Sequence, residues 1–189
     1  AAGNKIRELE YLLADALAHG ATTVVTCGGL QSNHARATAL LARELGLQCV
    51  LLLRIADPAA PPEPVGNLLL DRLVGADVRL FTPEQYRARA QLMDDVAREF
   101  SARGERAYLI PEGGSNGVGS FGYLTAVEEL AEQQKAGELP EDLDLVAVAC
   151  GSGGTAAGVA VGLTRFAELA MRAAAFAVCD DRAYFEQTI

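Results

Sequence analysis

The sequence has few aromatic side chains, no tryptophan and no long uninterrupted hydrophobic run. Aromatic residues make up only 6% of the 189 positions, although half of all residues are apolar. The apolar residues are therefore chiefly Ala, Val and Leu, as expected for helices packed on a buried sheet. No stretch approaches the roughly 18 apolar residues of a membrane-spanning helix, so we expect no membrane partner. The high apolar fraction with modest charge also excludes a disordered chain.

Basic residues and cysteines are both few. Lys and Arg number 16 against 25 Asp and Glu, so the net charge of −9 would repel nucleic acid, and no basic cluster occurs. The four cysteines lie far apart, without a C-x-x-C pair or a histidine at zinc spacing, which predicts no metal site. We expect small core thiols in a reducing compartment, the cytoplasm, at Cys27, Cys49, Cys150 and Cys179.

Short apolar runs alternate with helical patterns along the chain. Continuous apolar runs are typical of strands buried on both faces of a parallel sheet. The predicted strands are Val24–Cys27, Cys49–Leu53, Val78–Phe81, Ala107–Ile110, Leu145–Cys150 and Ala175–Val178. The predicted helices are Ile6–His19, Asn33–Leu45, Glu84–Arg103, Gly122–Lys135 and Ala156–Leu163. This order predicts an α/β fold with parallel strands, in which the strand interrupted by Arg79 lies nearer an edge.

Two glycine-containing segments follow predicted strands, at the position where α/β proteins bind ligands. In the first, two glycines precede four consecutive polar residues, Gln31-Ser32-Asn33-His34, at the start of a helix. Helix capping by Ser32 or Asn33 explains one of these residues, whereas a ligand site explains all four. In the second, Gly113-Gly114-Ser115-Asn116, an ordinary turn is the stronger interpretation.

A third segment, Gly151-Ser152-Gly153-Gly154-Thr155, lies between a predicted strand and a predicted helix. Its glycines allow backbone N–H groups to converge at the positive end of the helix, where a phosphate binds without a basic side chain. The segment has neither the lysine of a Walker A loop nor the spacing of a dinucleotide-binding fingerprint. It therefore favours the monophosphate of a cofactor over a nucleoside triphosphate.

Lys5 opens the first predicted helix, where a cation is electrostatically unfavourable. As a single residue it would be read as a surface lysine. A neutral amine is the form that attacks a carbonyl, and the positive end of a helix favours that form. Lys5 is therefore a candidate Schiff-base lysine. His19 is interpreted as a structural residue at a helix end, and His34 as a side chain that faces a ligand.

A lysine amine, a phosphate loop and a Ser-Asn pair at a helix start together suggest pyridoxal 5′-phosphate. The sequence resembles the D-cysteine desulfhydrase family, a group that also includes 1-aminocyclopropane-1-carboxylate deaminase. The motifs occur in the family's order over nearly the whole chain. They are Gly3-Asn4-Lys5, Gln31-Ser32-Asn33-His34, Gly113-Gly114-Ser115-Asn116 and Gly151-Ser152-Gly153-Gly154-Thr155.

The resemblance implies a tryptophan synthase β-like fold (fold type II) in a homodimer. This fold has two three-layer α/β/α lobes with parallel sheets. Residues 8–125 are implied as the smaller lobe, and residues 1–7 and 126–189 as part of the larger, cofactor-binding lobe. Family members continue well beyond residue 189, so we expect the chain to be incomplete. The tyrosine near the reacting carbon and the group that contacts the pyridine nitrogen lie in that further segment.

The resemblance also implies the site residues. Lys5 would bind the cofactor and take the α-proton of a small amino-acid substrate, and Asn33 would contact the cofactor's 3′-hydroxyl. Ser32 would act as a catalytic residue at the substrate carboxylate or Cα, with Ser32, Asn33 and His34 lining the substrate site. The phosphate would be held by Gly151, Ser152, Gly153, Gly154 and Thr155.

The implied reaction is α,β-elimination of D-cysteine to pyruvate, ammonia and hydrogen sulfide. His34 favours this reaction, because the desulfhydrases of the family have histidine at this position and the deaminases have glutamine. 1-Aminocyclopropane-1-carboxylate deamination and cysteate sulfo-lyase activity are the alternatives. An alternative of another class is an inactive, truncated relative that binds phosphate or a partner.

Overall fold

The computed structural model describes residues 3–140 and 142–189, which form two units of α/β structure. The first unit comprises residues 3–6 and 12–113, and the second comprises residues 7–11, 114–140 and 142–189. Helix α1 (Lys5–Ala18) therefore contributes turns to both units. The lobes implied by the resemblance, with their different bounds, stay a prediction.

The first unit is built on a four-stranded parallel sheet. Its strands are β1 (Thr23–Gly29), β2 (Gln48–Arg54), β3 (Asp77–Phe81) and β4 (Ala107–Leu109). Their order across the sheet is β3-β2-β1-β4, and all three pairings are parallel. The central strands β1 and β2 are buried along almost their whole length, whereas the edge strands are only half-buried. The predicted parallel sheet and the edge position of the strand that contains Arg79 are confirmed.

Helices pack against this sheet. They are α2 (Asn33–Glu44), α3 (Gly66–Leu73), α4 (Pro83–Tyr86) and α5 (Arg89–Ser101), besides α1. Val25 and Cys27, two residues apart on β1, share the face that packs against α4 and α5. The core cluster on this face consists of Val25, Cys27, Val50, Leu52, Tyr86, Met93, Val96 and Phe100. Each large apolar member contributes roughly 1.5–3 kcal/mol by its burial.

Two helix bounds in the first unit differ from the predictions. The predicted helix Glu84–Arg103 is two helices, α4 and α5, because a capping box between Thr82 and Gln85 starts α4 and Ala88 leaves the helical conformation. Helix α3 was not predicted at all, because it is short and follows a proline-rich loop directly.

The second unit contains a two-stranded parallel sheet of β5 (Leu145–Cys150) and β6 (Arg172–Ala177). Its helices are α6 (Gly117–Lys135), α7 (Gly154–Arg165) and α8 (Arg182–Thr188), besides one turn of α1. Helices α6 and α7 approach closely, since a Cβ on Gly158 would lie 2.4 Å from the Ser120 carbonyl oxygen. The helix predicted from Gly122 begins five residues earlier, because Asn116 Oδ1 accepts the Gly119 N–H and caps α6 at its start.

The predicted burial of β5 and β6 on both faces is wrong for the described residues. Five of the six residues of β6 are exposed, and Phe176 is 61% exposed. Cys179 is exposed as well, in contrast to the other three cysteines, which are buried as predicted. One reason is that each strand has a single neighbour in this sheet, so one edge stays uncovered. The other is that the helices cover one face of β5, where Val146 and Val148 pack against the α6 and α7 cluster, while Leu145, Ala147 and Ala149 on the other face are exposed. No helix in residues 3–140 and 142–189 has the length and apolar character needed to cross a membrane.

Candidate active site

The polar segment after β1 forms the start of α2 in the first unit. Ser32 is the N-cap residue, and its Oγ accepts the N–H of Ala35 at 3.1 Å. Gly28 packs directly on this serine, because a Cβ there would lie 2.7 Å from Ser32 Oγ. The capping interpretation of Ser32 is therefore confirmed. Because the capping bond uses an oxygen lone pair, the hydroxyl proton of Ser32 is still available to a ligand.

The start of α3 holds Asn33 in place. Asn67 Nδ2 donates to Asn33 Oδ1 at 3.0 Å and to the Gln31 carbonyl oxygen at 2.8 Å. Gln31 Oε1 in turn accepts the Asn67 N–H at 2.8 Å. Because Asn33 Oδ1 already accepts a hydrogen bond from Asn67, the part of the Asn33 amide that can bind a ligand is the donor Nδ2. Asn67 was missed by the sequence reasoning, although the pair Gly66-Asn67 before an apolar run is a signal for a helix start.

His34 is buried, with 5% of its surface exposed. Its Nε2 lies 2.9 Å from Thr26 Oγ1, and Thr26 donates its own proton to the Ile110 carbonyl oxygen at 2.8 Å. Thr26 therefore accepts from His34, which fixes the imidazole as the Nε2–H tautomer and leaves Nδ1 as an acceptor. Nδ1 is buried and has no hydrogen-bond partner among the described residues.

Burial lowers the pKa of His34 to about 3, and the positive charge of Lys5 adds to this shift. Lys5 is the first residue of α1, as predicted, and is half-buried. The first unit thus brings Lys5 within electrostatic reach of His34, which is neutral at physiological pH. The predicted contacts of Ser32, Asn33 and His34 with a substrate stay predictions.

The loop Gly151–Thr155 connects β5 to α7 in the second unit. Gly153 is the N-cap residue of α7 with a φ of +92°, a conformation that side chains rarely adopt. Ser115 Oγ accepts the Gly154 N–H at 3.0 Å and donates to Ser152 Oγ at 2.7 Å. A Cβ on Gly154 would lie 2.7 Å from Ser115 Oγ, so this contact requires glycine. The segment interpreted as an ordinary turn therefore supplies a structural partner of the loop.

A cavity of about 380 Å³ opens beside this loop, within the second unit. Ser115, Asn116, Ser152 and the glycines of the loop line its polar end, and Phe121 and Val161 line its apolar wall. A polar end at a helix N-terminus beside an apolar wall is the arrangement that binds a small anionic ligand.

Glu8 is a second residue that the sequence reasoning missed. Its side chain has no exposed surface, and Thr155 Oγ1 donates to its Oε1 at 2.9 Å. Both residues belong to the second unit. A buried carboxylate beside a predicted phosphate loop is unusual, because negative charges there oppose each other. The glycine backbone, the hydroxyl of Ser152 and the positive end of α7 fit a phosphate, whereas the Glu8 carboxyl does not.

Known proteins share this chain's sequence and fold. The family model described as pyridoxal-phosphate dependent enzyme matches residues 1–183. A mitochondrial bifunctional D-cysteine desulfhydrase/1-aminocyclopropane-1-carboxylate deaminase of Arabidopsis thaliana is 44% identical and covers 97% of this chain and 46% of its own length. A D-cysteine desulfhydrase of Serratia proteamaculans is 45% identical and covers 85% of this chain and 48% of its own length.

Among solved structures, the crystal structure of a homologue of 1-aminocyclopropane-1-carboxylate deaminase superposes with a TM-score of 0.82 at 36% identity. The match covers 98% of this chain and 55% of that one. The chain belongs to the family of pyridoxal-phosphate-dependent enzymes, with the α/β fold of type II that the resemblance implied. It spans about half the length of the curated relatives that it matches.

Proposed function

We propose that this chain is part of a pyridoxal-phosphate-dependent lyase that eliminates hydrogen sulfide from D-cysteine and yields pyruvate and ammonia. The glycine turn at the start of α7 is the observation that carries the proposal. Gly153 in this turn has a backbone conformation that only glycine adopts freely. The turn lies beside two serine hydroxyls and beside a cavity of cofactor size. The identity to relatives named as D-cysteine desulfhydrases supports the choice of reaction.

The proposal gives the first unit the reacting groups. Pyridoxal phosphate, when bound, supplies an electron sink for negative charge that develops at the substrate's Cα. Lys5 holds the cofactor through its amine, and as a free amine it takes the α-proton. Ser32 donates its hydroxyl proton to the substrate carboxylate, since its oxygen already caps α2. Asn33 donates from Nδ2 to the cofactor's 3′-hydroxyl, since its Oδ1 is held by Asn67.

His34 is proposed to bind the substrate by accepting a hydrogen bond from it. Its Nε2–H is committed to Thr26, so it offers Nδ1 to a donor of an amino-acid substrate. In the second unit, the loop Gly151–Thr155 is proposed to hold the phosphate through N–H groups at the start of α7, that of Thr155 among them, and through the hydroxyl of Ser152, since the Thr155 hydroxyl proton goes to Glu8 Oε1.

Deamination of 1-aminocyclopropane-1-carboxylate is the second candidate, because the Arabidopsis relative carries both activities in its name. We further propose that the whole protein is a cytoplasmic homodimer. Free cysteines at all four positions, none of them paired, support a reducing compartment. Light scattering on the whole protein tests the dimer.

Reductive trapping tests the cofactor site on the chain itself. The sequence contains only two lysines, Lys5 and Lys135, so each can be removed in turn. Incubation with pyridoxal phosphate, treatment with borohydride and peptide mass spectrometry should locate the cofactor on Lys5. The variant Lys135→Ala should retain this adduct, and Lys5→Ala should lose it.

Two outcomes contradict the proposal: an adduct on Lys135 alone, or none on the intact chain. The reaction is tested on the whole protein by measuring pyruvate and sulfide from D-cysteine beside ammonia from 1-aminocyclopropane-1-carboxylate. Faster turnover of the cyclopropane substrate would replace the first candidate by the second.

A further inference from the structure

Helix α3 has few interactions of its own that would keep it folded. It has only eight residues, it follows a loop with four prolines in residues 58–64, and its N-cap residue Val65 makes no side-chain cap bond. Its buried residues are Leu68 and Asp71. Because a helix this short is marginal by itself in water, α3 depends on bonds from other parts of the chain.

The Gln31 side chain supplies a cap for α3 from 36 positions earlier in the chain. Its Oε1 accepts the N–H of Asn67 at 2.8 Å, and its Nε2 donates to the Val65 carbonyl oxygen at 3.1 Å. The first N–H groups of a helix have no partner within the helix, so an acceptor at this place stabilises the helix start. Gly66 makes room for the contact, because it has a φ of +57° and a Cβ there would lie 2.6 Å from Gln31 Oε1.

The first turn of α3 in turn holds Asn33. Asn67 Nδ2 donates to Asn33 Oδ1 and to the Gln31 carbonyl oxygen. The two segments therefore brace each other, since Gln31 fixes the start of α3 and α3 fixes the amide of Asn33. Both polar atoms of the Gln31 side chain bond to α3, so no ligand contact is needed to explain a polar residue at this position.

We propose that Gln31 is a positioning residue for the cofactor: by capping α3 it keeps Asn67 on Asn33, so that the folding of α3 and cofactor binding at Asn33 strengthen each other. This inference rests on the proposed function, which gives Asn33 its contact with the cofactor's 3′-hydroxyl. Linkage requires the effect to be reciprocal, so a bound cofactor stabilises α3 by the same factor by which a folded α3 raises the cofactor's affinity.

Hydrogen exchange tests the cap on the ligand-free chain. The N–H of residue 67 should exchange about tenfold faster in Gln31→Ala than in the full 189-residue wild type, because the loss of this bond leaves that N–H open to water. Asn67→Ala should keep the slow exchange, since its backbone N–H still donates to Gln31. Gln91→Ala is the matched control, because Gln91 is an exposed glutamine of α5 that also makes one side-chain bond, at 3.1 Å to Asp95.

Two ligands test the link to Asn33. Pyridoxine 5′-phosphate has the 3-hydroxyl and the phosphate but no aldehyde that reacts with lysine, whereas inorganic phosphate lacks the hydroxyl. By calorimetry, Gln31→Ala should bind pyridoxine 5′-phosphate about tenfold more weakly than the wild type and Gln91→Ala, and all three should bind inorganic phosphate equally. In an Asn33→Ala background, Gln31→Ala should weaken binding little further.

The wild type alone tests reciprocity. Saturating pyridoxine 5′-phosphate should slow the exchange of the Asn67 N–H, and unchanged exchange overturns the inference whether or not any variant folds. Affinity for this ligand that is the same in Gln31→Ala as in the wild type also overturns it. The same holds for a Gln31→Ala loss of equal size in the Asn33→Ala background, because Gln31 would then contact the ligand itself.

These three outcomes leave the proposed function standing, since the ligand still binds. If the wild type binds neither ligand and the borohydride adduct on Lys5 is also absent, the proposed function fails, and the inference that rests on it fails as well.

Discussion

Thr26 and His34 share a buried hydrogen bond of 2.9 Å whose direction is set by a third group, the carbonyl of Ile110. Because the threonine proton goes to that carbonyl, the imidazole must donate from Nε2. The strand β1 thus determines which ring nitrogen of His34, a residue of α2, donates a hydrogen bond and which is left as an acceptor. The sequence identifies His34 only as a polar residue, whereas its contact with the sheet makes it a neutral hydrogen-bond acceptor.

The folded chain should lose stability as the pH falls below the ordinary pKa of histidine. The pKa of His34 is about 3 in the folded protein against 6.5 in the unfolded one, so the unfolded state binds the extra proton below 6.5. This contribution is fully present above about pH 7 and is lost by about 1.4 kcal/mol per pH unit below about pH 6.5. Urea unfolding at about pH 7 and about pH 5 should show a loss of about 2 kcal/mol that His34→Gln lacks. Equal losses in both proteins would contradict the burial of a neutral His34.

Asp71 should have the opposite pH dependence. It is 1% exposed, and neither of its carboxylate oxygens has a hydrogen-bond partner among the described residues. Burial raises its pKa to about 6, although the charge of Arg36 opposes this shift. The folded state therefore binds the proton more tightly, and stability is lost as the pH rises from about 4 through about 6.

The variant Asp71→Asn removes this loss. Relative to the wild type, it should gain roughly 1–3 kcal/mol between about pH 4 and about pH 8, as measured by urea unfolding. Asp94→Asn is the control, because Asp94 is an exposed residue of α5. If both variants follow the wild type over this range, Asp71 is not buried as a carboxylic acid.

The parts of the site that the sequence predicted are those encoded within a few consecutive residues. The cap at Ser32, the glycine turn at Gly153 and the opening of α1 at Lys5 depend on local backbone chemistry. Asn67 bonds to a residue 34 positions earlier, and Thr155 bonds to Glu8 across 147 positions. Such pairs are formed by tertiary packing, so no local sequence pattern predicts them.

The exposure of β5 and β6 could not be predicted from the sequence for a similar reason. An apolar run such as Leu145–Cys150 predicts a strand, and that prediction is confirmed. How much of the strand is covered depends on the neighbouring strands and helices, which cannot be predicted from the apolar run itself.

Gly122 should tolerate no side chain. A Cβ on this α6 residue would lie 2.1 Å from the Arg7 carbonyl oxygen, which is backbone and therefore cannot rotate away. We expect Gly122→Ala to cost at least about 3 kcal/mol in the free energy of unfolding or to prevent folding. Gly117→Ala, at the first position of the same helix, meets no atom within 4 Å and should be neutral or stabilising by up to about 1 kcal/mol. A Gly122→Ala variant as stable as Gly117→Ala would show that α1 and α6 do not pack this closely.

Asn67 should matter for cofactor affinity although it lies outside every motif of the sequence. Asn67→Ala removes the side-chain donor that holds Asn33 Oδ1 and the Gln31 carbonyl oxygen, so the Asn33 amide is free to rotate, while the backbone N–H of residue 67 still donates to Gln31 Oε1. We expect a stability loss of about 1–2 kcal/mol and, for the proposed site, about tenfold weaker binding of pyridoxal phosphate. Arg72→Ala, an exposed change on the same helix, should leave the affinity unchanged.

Because Asn67 is proposed to act only through Asn33, the variant Asn33→Ala should weaken binding as well. Adding Asn67→Ala to Asn33→Ala should weaken binding little further. Additive losses in the double variant would mean that Asn67 acts on the cofactor by another route.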